Sequence, residues 1–351
     1  MKKILITGGA GYIGSHTALD LLEKNYSLII VDSLINSSYK SLLKINELLK
    51  EKYPKKKFNL EFVKADIRDK EKLSKIFSEN NKNGNSILGV IHLAGLKSVT
   101  ESINFPLKYW DHNFNGTMNI LKIMDKFDCR RMVFSSSASI YGVYDENKLT
   151  ENSKINPLSP YASTKAAIEK LLDNLSNQSN TDWQIVSLRY FNPIGAHDSG
   201  LIGENIVRNP NNIFPIINNV ALGKQRELSI YGNDWPTHDG TCIRDYIHIM
   251  DLAEGHSLAF EYMLKNKEIK LTNLNIGTGN GTSVLELINK FQEVNKIKVP
   301  YIYSERRPGD SPIVVANNEK AKKLLNWTPK RDLSSMCIDG WRWQKMYPNG
   351  Y

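Results

Sequence analysis

Lys3-Ile4-Leu5-Ile6-Thr7-Gly8-Gly9-Ala10-Gly11-Tyr12-Ile13-Gly14, followed by Ser15 to Lys24 and then Leu28 to Asp32, is the stretch that decides how this sequence folds. Lys3 to Thr7 is a short, mostly apolar run that reads as a buried strand. Gly8 to Gly14 reads as a tight turn, and Ser15 to Lys24 carries apolar residues at helical spacing. Leu28 to Asp32 is a second strand-like run. Strand, helix, strand with short links is a βαβ unit, which requires a parallel pair. Apolar runs recur at Leu60 to Lys64, Gly89 to Leu93, Arg131 to Ser135 and Gln184 to Arg189, with helical patterns between them. The alternation predicts an α/β protein with a doubly wound parallel sheet of Rossmann type.

After about Phe191 the character changes. Segments rich in Asn, Pro and Gly, such as Asn209-Pro210-Asn211-Asn212 and Tyr231-Gly232-Asn233-Asp234-Trp235-Pro236, predict a smaller, loop-rich region over a site. Asp251 to Lys265 reads as a helix and Leu271 to Ile276 as a strand, both returning to the main sheet. Residues 1–190 are therefore expected to form a dinucleotide domain with later returns near 240–276. Residues 191–351 are expected to be mainly substrate-binding and interleaved with it.

The composition fits a globular enzyme of 351 residues, with 41% hydrophobic and 24% charged residues. The net charge of +9 is spread along the chain, and its densest run, Lys55-Lys56-Lys57, reads as solvated loop. No nucleic acid partner is expected, while a basic surface suits a small anionic ligand. Cys129, Cys242 and Cys337 are far apart with no CxxC pair or histidine cluster, so a reducing compartment and no metal site are expected. No apolar stretch has the length of a signal-peptide core or a membrane span. A cytoplasmic location without membrane association is the expectation.

Gly8, Gly11 and Gly14 are spaced three apart between a strand and a helix. Glycine there permits a tight turn and close approach of backbone to a pyrophosphate, whose charge then faces the first N–H groups of the helix. Asp32 ends the second strand, where a carboxylate can accept from both hydroxyls of an adenosine ribose and would repel a 2′-phosphate. NAD is therefore expected in preference to NADP. Asp66-Ile67 and Leu93-Ala94-Gly95-Leu96-Lys97 each follow a strand, where strand ends meet a dinucleotide crevice; a plain surface cap is the competing reading for Asp66.

Tyr161-Ala162-Ser163-Thr164-Lys165 sets a phenol and an ammonium four residues apart, on one face of a helix. A phenol with a pKa of about 10 is a poor base at neutral pH, but a nearby lysine and a cationic nicotinamide ring favour the phenolate. Tyr161 is then a general base for a hydroxyl undergoing oxidation. Ser137, in Phe134-Ser135-Ser136-Ser137-Ala138 at a strand end, can hydrogen-bond the same oxygen.

These residues together resemble the extended short-chain dehydrogenase/reductase family. Gly8 to His16, His92 to Lys97, Phe134 to Gly142, Arg189 to His197 and Thr241 to Asp251 resemble its UDP-glucose 4-epimerase branch, over essentially the whole chain. The segments Leu188 to His197 and Arg244-Asp245-Tyr246-Ile247-His248 are specific to that branch. The resemblance implies a homodimer built from helices of the dinucleotide domain and a tightly held NAD. It implies cofactor contacts from Tyr12, Ile13, Asn36, Ser37, Leu93, Ala94, Gly95, Lys97, His112 and Phe191 in addition to the glycine loop, Asp32, Asp66, Ile67, Ser137, Tyr161 and Lys165. For a UDP-hexose it implies Lys97, Tyr190 or Phe191, and Asn192 beside the nicotinamide and sugar. Asn212 and Ile213 are implied at the nucleotide, with Ser229 and Tyr231 flanking the uracil. Arg244, Arg307 and Asp310 are implied at the diphosphate and ribose.

The implied reaction oxidises C4 of the sugar to a ketone, turns the ketone over and reduces its other face, so that UDP-glucose and UDP-galactose interconvert. A nucleotide-sugar dehydratase makes the same ketone but typically carries Asp-Glu directly after the serine or threonine, where Ala138-Ser139 stand here. A catalytically idle nucleotide-sugar sensor is the alternative of a different class, and intact Ser137, Tyr161 and Lys165 argue against it. His112 stands where the family more often has Asn, and is expected to pack under the cofactor without catalytic duty. Val314 stands where epimerases restricted to UDP-glucose and UDP-galactose hold Tyr. The smaller residue is expected to admit an N-acetyl group, extending the substrates to UDP-N-acetylglucosamine and UDP-N-acetylgalactosamine. His197, His238 and His248 read as structural residues in polar loops.

Overall fold

The computed structural model describes residues 2–82, 84–143, 148–179, 182–205, 212–307 and 309–351. Six strands alternate with helices: β1 Lys3–Thr7, β2 Ser27–Asp32, β3 Leu60–Lys64, β4 Ile87–His92, β5 Arg131–Ser137 and β6 Gln184–Tyr190. With the edge strand Leu271–Ile276 they form a seven-stranded sheet, in which every pairing is parallel. Starting from that edge strand, the order is β6, β5, β4, β1, β2, β3. The return of Leu271–Ile276 to the sheet agrees with its apolar pattern. β1, β2 and β6 are buried along their whole length, as a parallel sheet covered on both faces requires.

One face is covered by helix α1 (Tyr12–Glu23) and the helices Lys40–Lys52 and Ile249–Lys265, packed on Ile4, Ile6, Leu28 and Ile30. The other is covered by Lys70–Lys82, Gly116–Lys126 and Pro160–Ser176, packed on Leu5, Ile29, Val31 and Val90. Chain order reverses between β1 and β4, so a crevice opens at the carboxyl ends of these two strands. A further apolar cluster joins helices Ile213–Ala221, Val284–Asn295 and Leu333–Met346 to strand Leu228–Tyr231, forming the smaller region beyond β6.

Lys55, Lys56 and Lys57 are exposed outside any helix or strand, and the three cysteines are buried and unpaired. Among the described residues no helix is long and apolar enough to cross a membrane. Of Asn209-Pro210-Asn211-Asn212 only Asn212 lies within the described residues. His248 departs from its reading as a loop residue. It ends strand Tyr246–His248, is fully buried, and accepts the Met250 N–H to cap Ile249–Lys265.

Candidate active site

The glycine loop is built around close backbone contacts. Gly8 adopts φ +70°, a left-handed conformation, and its N–H donates to Val31 O at 2.8 Å. A Cβ on Gly14 would stand 2.3 Å from Gly8 O, so only glycine lets α1 begin this near the turn. The first intrahelical bond runs from Ser15 N to Gly11 O at 2.9 Å, leaving the N–H groups of Tyr12, Ile13 and Gly14 without a partner inside the helix. The loop thus offers positive partial charge in a cradle that a Cβ would fill, which fits a pyrophosphate. At the end of β2, Asp32 accepts from Ala10 N at 3.0 Å, Leu34 N at 2.9 Å and Ser37 Oγ at 2.7 Å. Its carboxylate is therefore fixed at the crevice edge with lone pairs remaining, which fits a ribose diol. Ser37 serves here by orienting Asp32, whereas Asn36 is exposed.

Beyond β3, Asp66 accepts from Arg68 three times, from the backbone N–H and from two guanidinium nitrogens, and Arg68 also reaches Asp111. The guanidinium holds the Asp66 carboxyl below its ordinary range. Ile67 lies against Gly116, where a Cβ would fall 2.4 Å from its Cδ1. His112 is half-buried beside this group, and burial with the Arg68 charge lowers its pKa, so the neutral ring is favoured at pH 7.

Its neighbour Asn113 is a residue that the sequence reading passed over. Its amide accepts from Leu96 N at 2.8 Å and donates to Leu96 O at 3.0 Å, pinning the turn that carries Leu93, Ala94, Gly95 and Lys97. A Cβ on Gly95 would lie 3.1 Å from the Asn113 Oδ1. Behind the turn, Thr7 and Thr117 hold opposite nitrogens of His92 at 2.7 and 2.9 Å, and burial pushes that imidazole down to about 3. A buried Asn or His beside a strand end was the available signal; its partner was not.

The reactive group forms where β5 meets helix Pro160–Ser176. Ser159 caps this helix by accepting Ala162 N, and Pro160 occupies its first turn. Tyr161 and Lys165 then lie one turn apart, as their spacing predicted. The Lys165 Nζ donates to Ser135 O at 2.6 Å and lies 5.0 Å from the Phe134 ring centre and 6.0 Å from that of Tyr161. Burial lowers Lys165 to about 8, with Glu169 acting in the opposite direction. Burial also raises the Tyr161 phenol, while the Ser137 hydroxyl's hydrogen bond and the Lys97 charge draw it down. Ser137 also accepts from the Ser139 N–H and hydroxyl, at 3.2 and 2.9 Å.

A buried network fastens this helix to the sheet. Arg189 of β6 donates to both Glu169 oxygens, at 3.0 and 2.7 Å, and to the Tyr141 hydroxyl at 2.8 Å, which donates to Asn275 at 2.7 Å. Glu169 lies one turn beyond Lys165, so the network also fixes where the lysine emerges. The Tyr190 hydroxyl pairs with the His256 ring, whereas Phe191 packs with Ala138, Tyr141 and Val314.

The smaller region supplies the opposite side. Val314 pairs with Arg244 in a short parallel ladder, and the Arg244 guanidinium lies 3.5 Å from Asp310. The Arg307 guanidinium stacks on Tyr231 at 3.8 Å, on the strand that also carries Ser229. Asn192 donates its N–H to Asp245 O at 2.9 Å, tying the end of β6 to this region. Asn212 and Ile213 begin helix Ile213–Ala221, with Asn212 exposed.

Comparison with known proteins identifies the family. Residues 5–339 match the family described as GDP-mannose 4,6 dehydratase. The chain is 45% identical to the UDP-glucose 4-epimerase of Bacillus subtilis (strain 168), covering 99% of this chain and 98% of that one. The chain belongs to the UDP-glucose 4-epimerase family. UDP-glucose 4-epimerase 2 of Arabidopsis thaliana is also 45% identical, over 100% of this chain and 97% of its own length. The epimerase structure from Stenotrophomonas maltophila, with bound NAD and formylated UDP-arabinopyranose, superposes with a TM-score of 0.93 at 39% identity, covering 99% of each chain. That from Bifidobacterium longum, in complex with NAD+ and UDP, gives 0.90 at 38% identity over the whole of both chains. A Campylobacter jejuni member described as a UDP-Glc/GlcNAc 4-epimerase gives 0.82 at 31%, covering 99% of this chain and 100% of that one.

Proposed function

We propose that this family member is an isomerase of galactose metabolism that interconverts UDP-glucose and UDP-galactose with a retained NAD. The observation that carries the reading is the meeting of Tyr161, Ser137 and Lys165 at the switch-point crevice, beside a glycine loop shaped for a pyrophosphate. Bound NAD supplies hydride acceptance from C4 of the sugar and its return to the opposite face of the 4-keto ring.

Tyr161 takes the proton from the C4 hydroxyl and gives one back after the ring has turned. Lys165 favours the phenolate, and its remaining N–H groups would hold the ribose of bound NAD. Ser137 orients the reacting oxygen. Gly8, Gly11, Tyr12, Ile13 and Gly14 hold the pyrophosphate and Asp32 the adenosine ribose. Asn36, Ser37, Asp66, Ile67, Leu93, Ala94, Gly95, Lys97, His112 and Phe191 complete the cofactor wall.

For the substrate, Arg244, Arg307 and Asp310 anchor diphosphate and ribose, a task suited to the planar guanidinium. Ser229 and Tyr231 flank the uracil, Asn212 and Ile213 contact the nucleotide, and Asn192 and Lys97 approach the sugar. Anchoring at the UDP end lets the ketone rotate without leaving. Ala138 and Ser139 follow Ser137, so the acid–base pair that a dehydratase places there is missing, which favours inversion over elimination. Val314 at the wall supports acceptance of N-acetylated UDP-hexoses.

On this reading residues 1–190, with returns near 240–276, hold NAD and residues 191–351 mainly the UDP-sugar. The protein is proposed to act in the cytoplasm as a homodimer. The apolar side chains Ile103, Phe105 and Leu107, which are 61, 56 and 82% exposed beside the active-site helix, support pairing through that face.

The test is to incubate purified protein with UDP-galactose, without added NAD, and separate the UDP-sugars. UDP-glucose is the expected product. No product, even with NAD supplied and UDP-N-acetylhexosamines tried, would refute the reading.

A further inference from the structure

Lys97 stands in the crevice with its side chain 60% exposed, surrounded by protein on several sides and still open to water. Its ammonium is 2.7 Å from Glu204 Oε1, a carboxylate only 18% exposed and 107 positions away in sequence. An ordinary surface pair of this kind contributes little to stability. This one differs because both backbones are held from behind. The Lys97 turn is pinned by the Asn113 amide on both polar groups of Leu96.

The Glu204 segment is held at several points. Ile202 is fully buried and its carbonyl accepts His197 N at 3.1 Å. Gly203 lies so near the Trp343 ring that a Cβ would fall 2.4 Å from it. Tyr351 donates its hydroxyl to Leu201 O at 3.2 Å and its N–H to the Asn205 side chain at 3.1 Å, straddling Glu204. Tyr12, in the first turn of α1, donates its hydroxyl to Gly195 O at 2.6 Å on the same stretch of chain. The carboxylate is thus carried on a frame tied to the last helix and to the glycine loop, and it meets Lys97, whose charge draws down the Tyr161 phenol.

We propose that Glu204 is a positioning residue of the reaction: by its ion pair with Lys97 it holds that ammonium at the face of the crevice toward Tyr161, and segment Tyr347–Tyr351 keeps Glu204 in place. A lysine side chain has several rotatable bonds, and without the pair its charge would spread over many positions toward solvent. Entry of a UDP-sugar removes water from this site, strengthening the attraction when the sugar must be oriented. The proposal rests on the epimerase reading, and inactive wild-type protein would overturn that reading rather than this assignment.

The experiment is a double-mutant cycle in the full-length, NAD-containing protein: Glu204→Gln, Lys97→Met and the pair, with kcat and KM for UDP-galactose. Loss of one charge-assisted contact predicts a fall of about tenfold in kcat for Glu204→Gln, with KM within about twofold because the UDP anchors lie elsewhere. In the Lys97→Met background the same change has no further effect, since Glu204 acts through Lys97. Gly350→Ala, whose Cβ would lie 2.1 Å from Asn205 Oδ1, reproduces part of the kcat loss in wild type and none in Glu204→Gln. Thermal melting of each variant separates misfolding from mispositioning. Unchanged kcat in a folded Glu204→Gln protein, or an equal loss with and without Lys97, overturns the assignment.

Discussion

Lys165→Met is the most informative single change, because the structure sets both its size and its pH signature. The ammonium lies 6.0 Å from the Tyr161 ring centre and is buried, with Ser135 O as its 2.6 Å hydrogen-bond partner. Taking the ring centre as the seat of the phenolate charge and an effective dielectric constant of about 20, a unit charge at that separation contributes about 2.8 kcal/mol. That shifts the phenol's titration by about two pH units, so removing the charge lowers the phenolate population at pH 7 about 100-fold. Because the base must be deprotonated, kcat is expected to fall about 100-fold at pH 7, and the deficit should shrink as the pH is raised through 9. The assay is UDP-galactose conversion from pH 6 to 10 with NAD content checked in each preparation. A loss that is equal at every pH, or below about fivefold at pH 7, would refute the electrostatic argument.

The same residue gives a stability prediction of opposite sign. Burial depresses Lys165 to about 8, while an unfolded lysine holds its proton to about 10.4. Between those values the unfolded chain binds more protons, so stability of the nucleotide-free protein rises with pH across that window. Below it, the cost of burying the charge is fully present. Lys165→Met should therefore raise the Tm of nucleotide-free protein at pH 7 while abolishing most activity, and a lower Tm would contradict this.

Three further outcomes follow from single positions. Gly14→Ala places a Cβ 2.3 Å from Gly8 O, so the loop must open and NAD recovered with the purified protein should fall to about a tenth or less. Val314→Tyr should remove turnover of UDP-N-acetylglucosamine about 100-fold while leaving UDP-galactose within about threefold; equal loss of both would place the N-acetyl group elsewhere. Leu107→Asp puts a charge at the most exposed apolar side chain beside the active-site helix and should give a monomer by light scattering, whereas an unchanged dimer would locate the interface on another face.

Local pattern determined a large part of this protein. The six strands of the alternating half, the return of Leu271–Ile276, the glycine turn before α1 and the shared face of Tyr161 and Lys165 all follow from periodicity and spacing within about thirty residues. Glycine, proline and capping residues act on their own backbone, so their effect is legible where they stand. What tertiary structure decided is who meets whom. Asn113 clamps Leu96, Thr7 and Thr117 hold His92, Arg189 grips Glu169, Tyr190 pairs with His256, and Phe191 packs with Ala138 and Val314. His248, which stands between Ile247 and Ile249, is buried where its short strand pairs with Asn192–Ile194. Lys97 finds Glu204, and Tyr351 finds Leu201, only because the sheet's crossing order folds distant segments over one crevice. A side chain's periodicity tells which face it lies on; the chemistry of its partner depends on which other face is brought against it, and that is a property of the whole chain.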